Sequence, residues 1–335
     1  MPNIPSDPPS IDVRWVVPSQ TTRIAVASFL PSGVAILPDS SGFTVTVPTA
    51  SVTRTLAQDC AACLAANGVV APKPAFTGTA SVTTSLPSDI SSATLTGGTL
   101  TITVTNNYTF DPLRPNGASA PFGKAVVTIT NNGVQIGKDS LVGSTTTLAA
   151  NGGTATLPIA LSGAITGSAG VVVTMTLDSP AGSPVLIDVS KTIRLDATAQ
   201  NLKVASANVT VSNKAISSTQ TINLAGIDQT ITNRVQSGAL LFTVTNPFSV
   251  TGALTVRLTP DVGPPVVKTL QLAAGTSTPS IAFTQLELKS LLNHNVTVVY
   301  SGNVSTTTAG STVNVTPKQA VVVASRLDIS LEVGG

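Results

Sequence analysis

Glutamate is almost missing from this sequence: Glu287 and Glu332 are the only two in 335 residues. Charged residues of every kind reach 10%, against about 25% in an ordinary soluble domain. Lys+Arg 17 against Asp+Glu 15 leaves a net charge of +2, which excludes a dedicated nucleic-acid surface built on a basic stripe. Histidine occurs once, at His294, without a G-x-S-x-G elbow, so a Ser-His-Asp hydrolase of that design has no framework. One histidine and two cysteines do not supply the usual four ligands of a structural zinc site. No glycine loop matches a phosphate-binding or dinucleotide fingerprint. No metal, no cofactor and no enzymatic activity are therefore expected. Long apolar runs are lacking as well. The charge-free stretch from Ser140 to Leu177 is broken by Gly143, Gly152, Gly153, Pro158 and Gly163, short of the roughly 20 mostly apolar residues of a spanning helix.

Thr, Ser and Val fill the chain instead. Thr and Val are β-branched and suit a pleated surface. With 26 Gly and 23 Pro for turns, the composition predicts an all-β protein of many short strands. The start, Met1-Pro-Asn-Ile-Pro, has neither a basic nor an apolar region of a leader. The polar, Lys- and Glu-poor surface nevertheless favours an extracytoplasmic site, periplasmic or cell-surface and peripheral to a membrane. The missing leader leaves a cytoplasmic site open.

Residues 1–10, with four prolines, are expected to form an extended tail. Residues 11–74 are expected to form a small β-rich region. Its candidate strands are Ile11 to Val17, Arg23 to Phe29, Gly33 to Leu37, Phe43 to Val47 and Ser51 to Leu56. One short helix is expected over Leu56 to Asn67, with Leu56, Cys60, Cys63 and Leu64 on one face and Gly68 as its stop. Trp15 is expected in the core. Two longer units come next, at 75–197 and 198–335, and they repeat one another. Gly98 to Tyr108 (GTLTITVTNNY) matches Gly238 to Phe248 (GALLFTVTNPF), and Ala125 to Ile129 matches Ala253 to Arg257. Leu148-Ala149-Ala150 matches Leu272-Ala273-Ala274, and Val204-Ala205-Ser206 matches Val323-Ala324-Ser325. Such self-similarity implies a duplication. Strand spacing of 8–12 residues points to tandem immunoglobulin-like β-sandwiches. Thr284 with Glu287 three residues on is a capping box, so one helix is expected at Thr284 to Asn293.

The TVTN-Asn-Tyr and TVTN-Pro-Phe segments resemble the strand-to-loop motif of LEA type 2-like and related immunoglobulin-like β-sandwich domains. That resemblance covers the two repeats and implies fold without catalytic residues. The whole chain is also similar to membrane-extrinsic accessory subunits of bacterial photosynthetic reaction centre–antenna assemblies. The resemblances imply a structural role, or, through the first alone, desiccation protection.

Few residues invite chemistry. Cys60-Ala61-Ala62-Cys63 can be a structural disulfide, a pair of buried thiols or a redox dithiol. Asp59 beside it would raise a thiol pKa and lower reactivity, so a structural role is expected. Asp188, Arg194 and Asp196 are expected on one strand face as a solvated charge cluster. The first repeat carries about twelve residues more than the second, placed in Phe110 to Phe122 (FDPLRPNGASAPF). Phe110, Leu113, Arg114 and Phe122 make that loop a candidate interface. The alternative is a loop folded back to plug its own core. The expected role is a non-enzymatic scaffold that braces or tethers a larger, membrane-bound assembly, with other proteins as partners. A cell-surface adhesive or glycan-binding module is the alternative.

Overall fold

The computed structural model describes residues 11–333. The proline-rich segment 1–10 lies outside the described residues. The fold is all-β, as expected, and built from antiparallel sheets that pack as sandwiches. No helix among the described residues is long and apolar enough to cross a membrane.

One unit comprises Pro31–Asn208. Its first sheet runs Gly153–Ala160, Ile90–Asn106, Thr192–Val209, with Ala50–Thr55 and Phe43–Val45 along the far side of the last. Its second sheet runs Phe76–Thr84, Val171–Ser179, Lys124–Asn131, Val134–Val142. Period-two alternation puts Leu100, Ile102 and Val104 of one sheet, and Val173, Met175 and Leu177 of the other, in the core, leaving their threonine neighbours facing outward. A short ribbon, Val70–Lys73 with Gly182–Leu186, stands apart from both sheets.

The other unit has the same strand order. One sheet runs Ile11–Ala25, Ala320–Val333, Val235–Asn246, with Gly275–Ser277 and Ser280–Phe283 outermost. The second runs Lys214–Asn223, Asn295–Thr306, Val250–Pro260, Val266–Leu272. Each unit thus closes its first sheet by pairing an early strand against its last one.

That pairing changes the expected boundaries. Residues 11–74 do not form a region of their own. Ile11–Ala25 joins the unit that contains 209–333, whereas 31–74 belong with the rest of Pro31–Asn208. One sandwich is therefore inserted between the first and second strands of the other, rather than following it. The boundary expected at 197 falls inside the strand Thr192–Val209. The two strands expected at Ile11 to Val17 and Arg23 to Phe29 are one strand to Ala25, with a register slip between Val17 and Gln20, where Pro18 has no N–H to offer the ladder. Val26–Phe29 is a 3-10 turn. Trp15 is half-buried, opposite Ile329.

The helix Gln285–Leu291 forms where its capping box predicts, with Thr284 and Glu287 bonding reciprocally and Leu288 and Leu291 buried. The Leu56 to Asn67 segment is less regular. An α-turn Leu56–Asp59, capped by Thr55 and Gln58, breaks at Cys60 and continues as a 3-10 helix, Ala61–Ala66. Because the break rotates the second half of the segment, Leu56, Cys60 and Cys63 stay buried while Leu64 is 54% exposed. Gly68 takes the left-handed conformation expected of it.

Candidate functional site

The loop between Asn106 and Lys124 is the sequence's strongest interface candidate, and the structure folds it inward. Phe110 and Leu113 are buried, Arg114 and Phe122 half-buried. Only the tip, Gly117 to Pro121, is exposed. Asp111 begins the turn: its Oδ1 accepts from the N–H groups of Leu113 (2.8 Å) and Arg114 (3.1 Å), its Oδ2 from Leu148 N–H (2.9 Å). Arg114 donates to the carbonyls of Gly143 (2.6 Å), Thr146 and Ser144. Ser179 Oγ donates to Pro112 O. Phe110 packs edge-on to Phe76, at 6.4 Å between ring centres, and lies beside Tyr108. Phe110, Leu113, Arg114 and Phe122 are therefore a plug, not an exposed docking surface. The aromatic residues cluster in this loop because a sandwich end needs covering.

Lys73 caps the same cluster. Its Nζ lies 4.8 Å from the Phe76 ring centre and 5.5 Å from that of Phe110, and donates to the carbonyls of Pro74 and Pro180. Burial pushes its pKa down to about 8; the carbonyls and ring faces compensate the cation.

Sequence reasoning missed Asn106 as a functional position. Its Nδ2 donates to the carbonyls of Phe110, Leu148 and Ala149, and its Oδ1 accepts from Tyr108 N–H. Asn246 does the same in the other unit, reaching Val250 O and Ala273 O and accepting from Phe248 N–H. The repeated TVTN and Leu-Ala-Ala segments are thus the two halves of one clamp. The matching residues were legible as a repeat; the hydrogen bonds that join them were not.

Cys60 and Cys63 are joined as a disulfide, with both residues buried. Asp59 turns onto other groups. It accepts from Arg54 Nε (2.6 Å) and from Tyr108 Oη (3.1 Å), and Gly78 leaves it room, since a Cβ there would stand 2.6 Å from the carboxyl carbon. Arg194 pairs with Asp196, but Asp188 lies in the preceding turn, bonded to Ser190, outside the strand face on which it was expected. His294 Nδ1 meets Asp261 Oδ1 at 2.6 Å, and this contact holds the Asp261 carboxyl below its usual range. Asn295 N–H bonds the other carboxyl oxygen, so the pair ties two turns together. Among the described residues, no group of three or more His, Cys, Asp or Glu side chains is placed to hold a metal ion.

No protein-family model matches the chain, and no curated protein does. Among solved structures, a protein of Parabacteroides distasonis named as a candidate secreted protein is 8% identical, with 96% of this chain and 100% of that one covered, at a TM-score of 0.36. The tandem CBM22 domain of Xyn10C from Paenibacillus barcinonensis is 9% identical, covers 97% and 99%, and scores 0.18. At these scores the likenesses identify no family.

Proposed function

We propose that this chain is a non-enzymatic, extracytoplasmic structural module that braces a larger assembly. The observation that carries the reading is where its polar side chains go. Asp59, Lys73, Asn106, Asp111, Arg114, Asn131 and Asn246 all bond to groups of the chain itself. They lock loops; they do not converge on a cleft. A disulfide between Cys60 and Cys63 fits an oxidising compartment.

Docking then falls to another surface of Pro31–Asn208. Val70 and Leu186, cross-strand partners on the two-stranded ribbon, are 68% and 45% exposed, and Val69 is 53% exposed. Leu64, in the 3-10 helix beside the ribbon, adds to them. Exposed apolar side chains gathered on neighbouring elements in this way mark sites of protein interaction. The test is isolation of the tagged full-length protein from its native host. A fixed-stoichiometry complex, lost in the Val70→Asp/Leu186→Asp variant while its melting curve is unchanged, supports the reading. Wild-type protein that elutes alone overturns it. The finer reading, a photosynthetic assembly, rests on the whole-chain resemblance; bacteriochlorophyll in the isolated complex is its check.

A further inference from the structure

The unit that contains 209–333 carries a polar groove its fold does not use. In the strand Ala320–Val333, Leu327 and Ile329 are buried in the core, so Asp328 between them points to the outer face. It is nevertheless only 8% exposed. Arg14 on the neighbouring strand donates to its Oδ2, and Arg326 Nε stands 3.5 Å from its Oδ1. Oδ1 itself accepts no hydrogen bond. A buried acceptor without a donor calls for a reason.

Beside it lies a groove of about 480 Å³ lined by Arg14, Ser237, Ala239, Leu241, Ala282 and Asp328. A second, of about 430 Å³, shares Leu241 and continues along Thr243, Thr278, Ala324 and Arg326. Strand register explains the shape. Asp328 faces Ala239, which faces Ala282; Arg326 faces Leu241. Alanines leave a low floor, and the arginines form walls.

We infer that this face binds an extended, uncharged oligosaccharide. Sugar hydroxyls both donate and accept, so adjacent hydroxyls match a covered carboxylate oxygen that still lacks a hydrogen bond and the guanidinium donors that flank it. Leu241 and the alanines offer an apolar strip for the C–H face of a sugar ring. Charge on this face balances: Arg14, Arg23 and Arg326 stand against Asp12, Asp328 and Glu332, placed on the same side by their register. A polyanion therefore gains nothing by docking here. Arg326, 52% exposed at its side chain, is free to turn aside and admit a hydroxyl to Oδ1.

The test titrates the full chain with neutral hexasaccharides of xylan, mannan and β-glucan, and with hexagalacturonate as the acidic contrast, read by calorimetry and by amide chemical shifts. Saturable binding of a neutral hexasaccharide is expected, weakened about tenfold or more by Asp328→Asn, the scale of a lost hydrogen bond to a charged group. Ala282→Arg, at an exposed site clear of the ion pairs, fills the floor and should abolish binding even where Asp328→Asn fails to fold. Arg257→Ala, on the other sheet, should leave it intact. Absence of saturable binding, tighter binding of hexagalacturonate, or full binding by Ala282→Arg each overturns the inference. The ribbon of the other unit is not involved, so either site can fail alone.

Discussion

At the scale of single residues, the two tyrosines show how burial sets chemistry. Tyr300 is pushed up to about 12 by burial. Tyr108 is raised further, by burial and by the Asp59 carboxylate, which accepts a hydrogen bond from its hydroxyl. In the unfolded chain both phenols ionise near ~10. Above that pH the unfolded state has fewer bound protons than the folded one, so stability falls as pH rises. These are the only tyrosines in the protein, which makes the consequence easy to observe. An ultraviolet titration of the native protein should show almost no phenolate near pH ~11, and both phenolates should appear once denaturant is added. A normal midpoint for either phenol in the folded protein would contradict its placement.

At the scale of elements, the loop from Asn107 to Gly123 changes meaning. Its composition suggests an interface; its geometry makes it a lid on its own sandwich. Leu113 is fully buried, so Leu113→Ala should cost about 2–5 kcal/mol, the range for cavity-forming core truncations. Denaturant unfolding of wild type and variant measures this. A loss below ~0.5 kcal/mol, within the scatter of exposed substitutions, would return the loop to the surface. Local signals fared differently. The Thr284–Glu287 capping box was legible because both partners sit within one turn. The break at Cys60 was not, because the buried Asp59, held by Arg54 and Tyr108, helps to place it.

At the scale of the whole molecule, the insertion of one sandwich into another has a direct consequence. Ile11–Ala25 makes thirteen paired positions with Ala320–Val333, and the chain after it buries Val26 and Phe29 in the same unit, with Phe29 against Phe248 at 4.9 Å. A fragment of residues 31–208 should therefore fold and melt cooperatively by itself. A fragment of residues 209–335 should not, since its last strand lacks its neighbour and its core lacks four buried apolar side chains, Ile24, Val26, Phe29 and Leu30. Joining residues 11–30 to the end of that fragment through a flexible linker should restore folding, as a circular permutation does. Circular dichroism and amide dispersion on the three fragments decide it. Stable folding of 209–335 without the early strand would show that the pairing is dispensable.

The sequence by itself determined the fold class, the duplication and the capped helix. Each rests on short-range physics: β-branched composition, period-two alternation at Leu100, Ile102 and Val104, and a capping box spanning three residues. Tertiary structure alone decided which last strand each early strand joins. Ile11–Ala25 and Ala50–Thr55 both read locally as strands, and nothing in them names a partner about 140 to 310 residues away, because antiparallel pairing is satisfied by any complementary edge. The same holds for polar groups. Asn106, Asn246 and Asp328 look alike in sequence to the many exposed Asn and Asp residues of the chain. Only the fold decides that the first two are sealed against carbonyls, while the third keeps a buried oxygen that accepts no hydrogen bond.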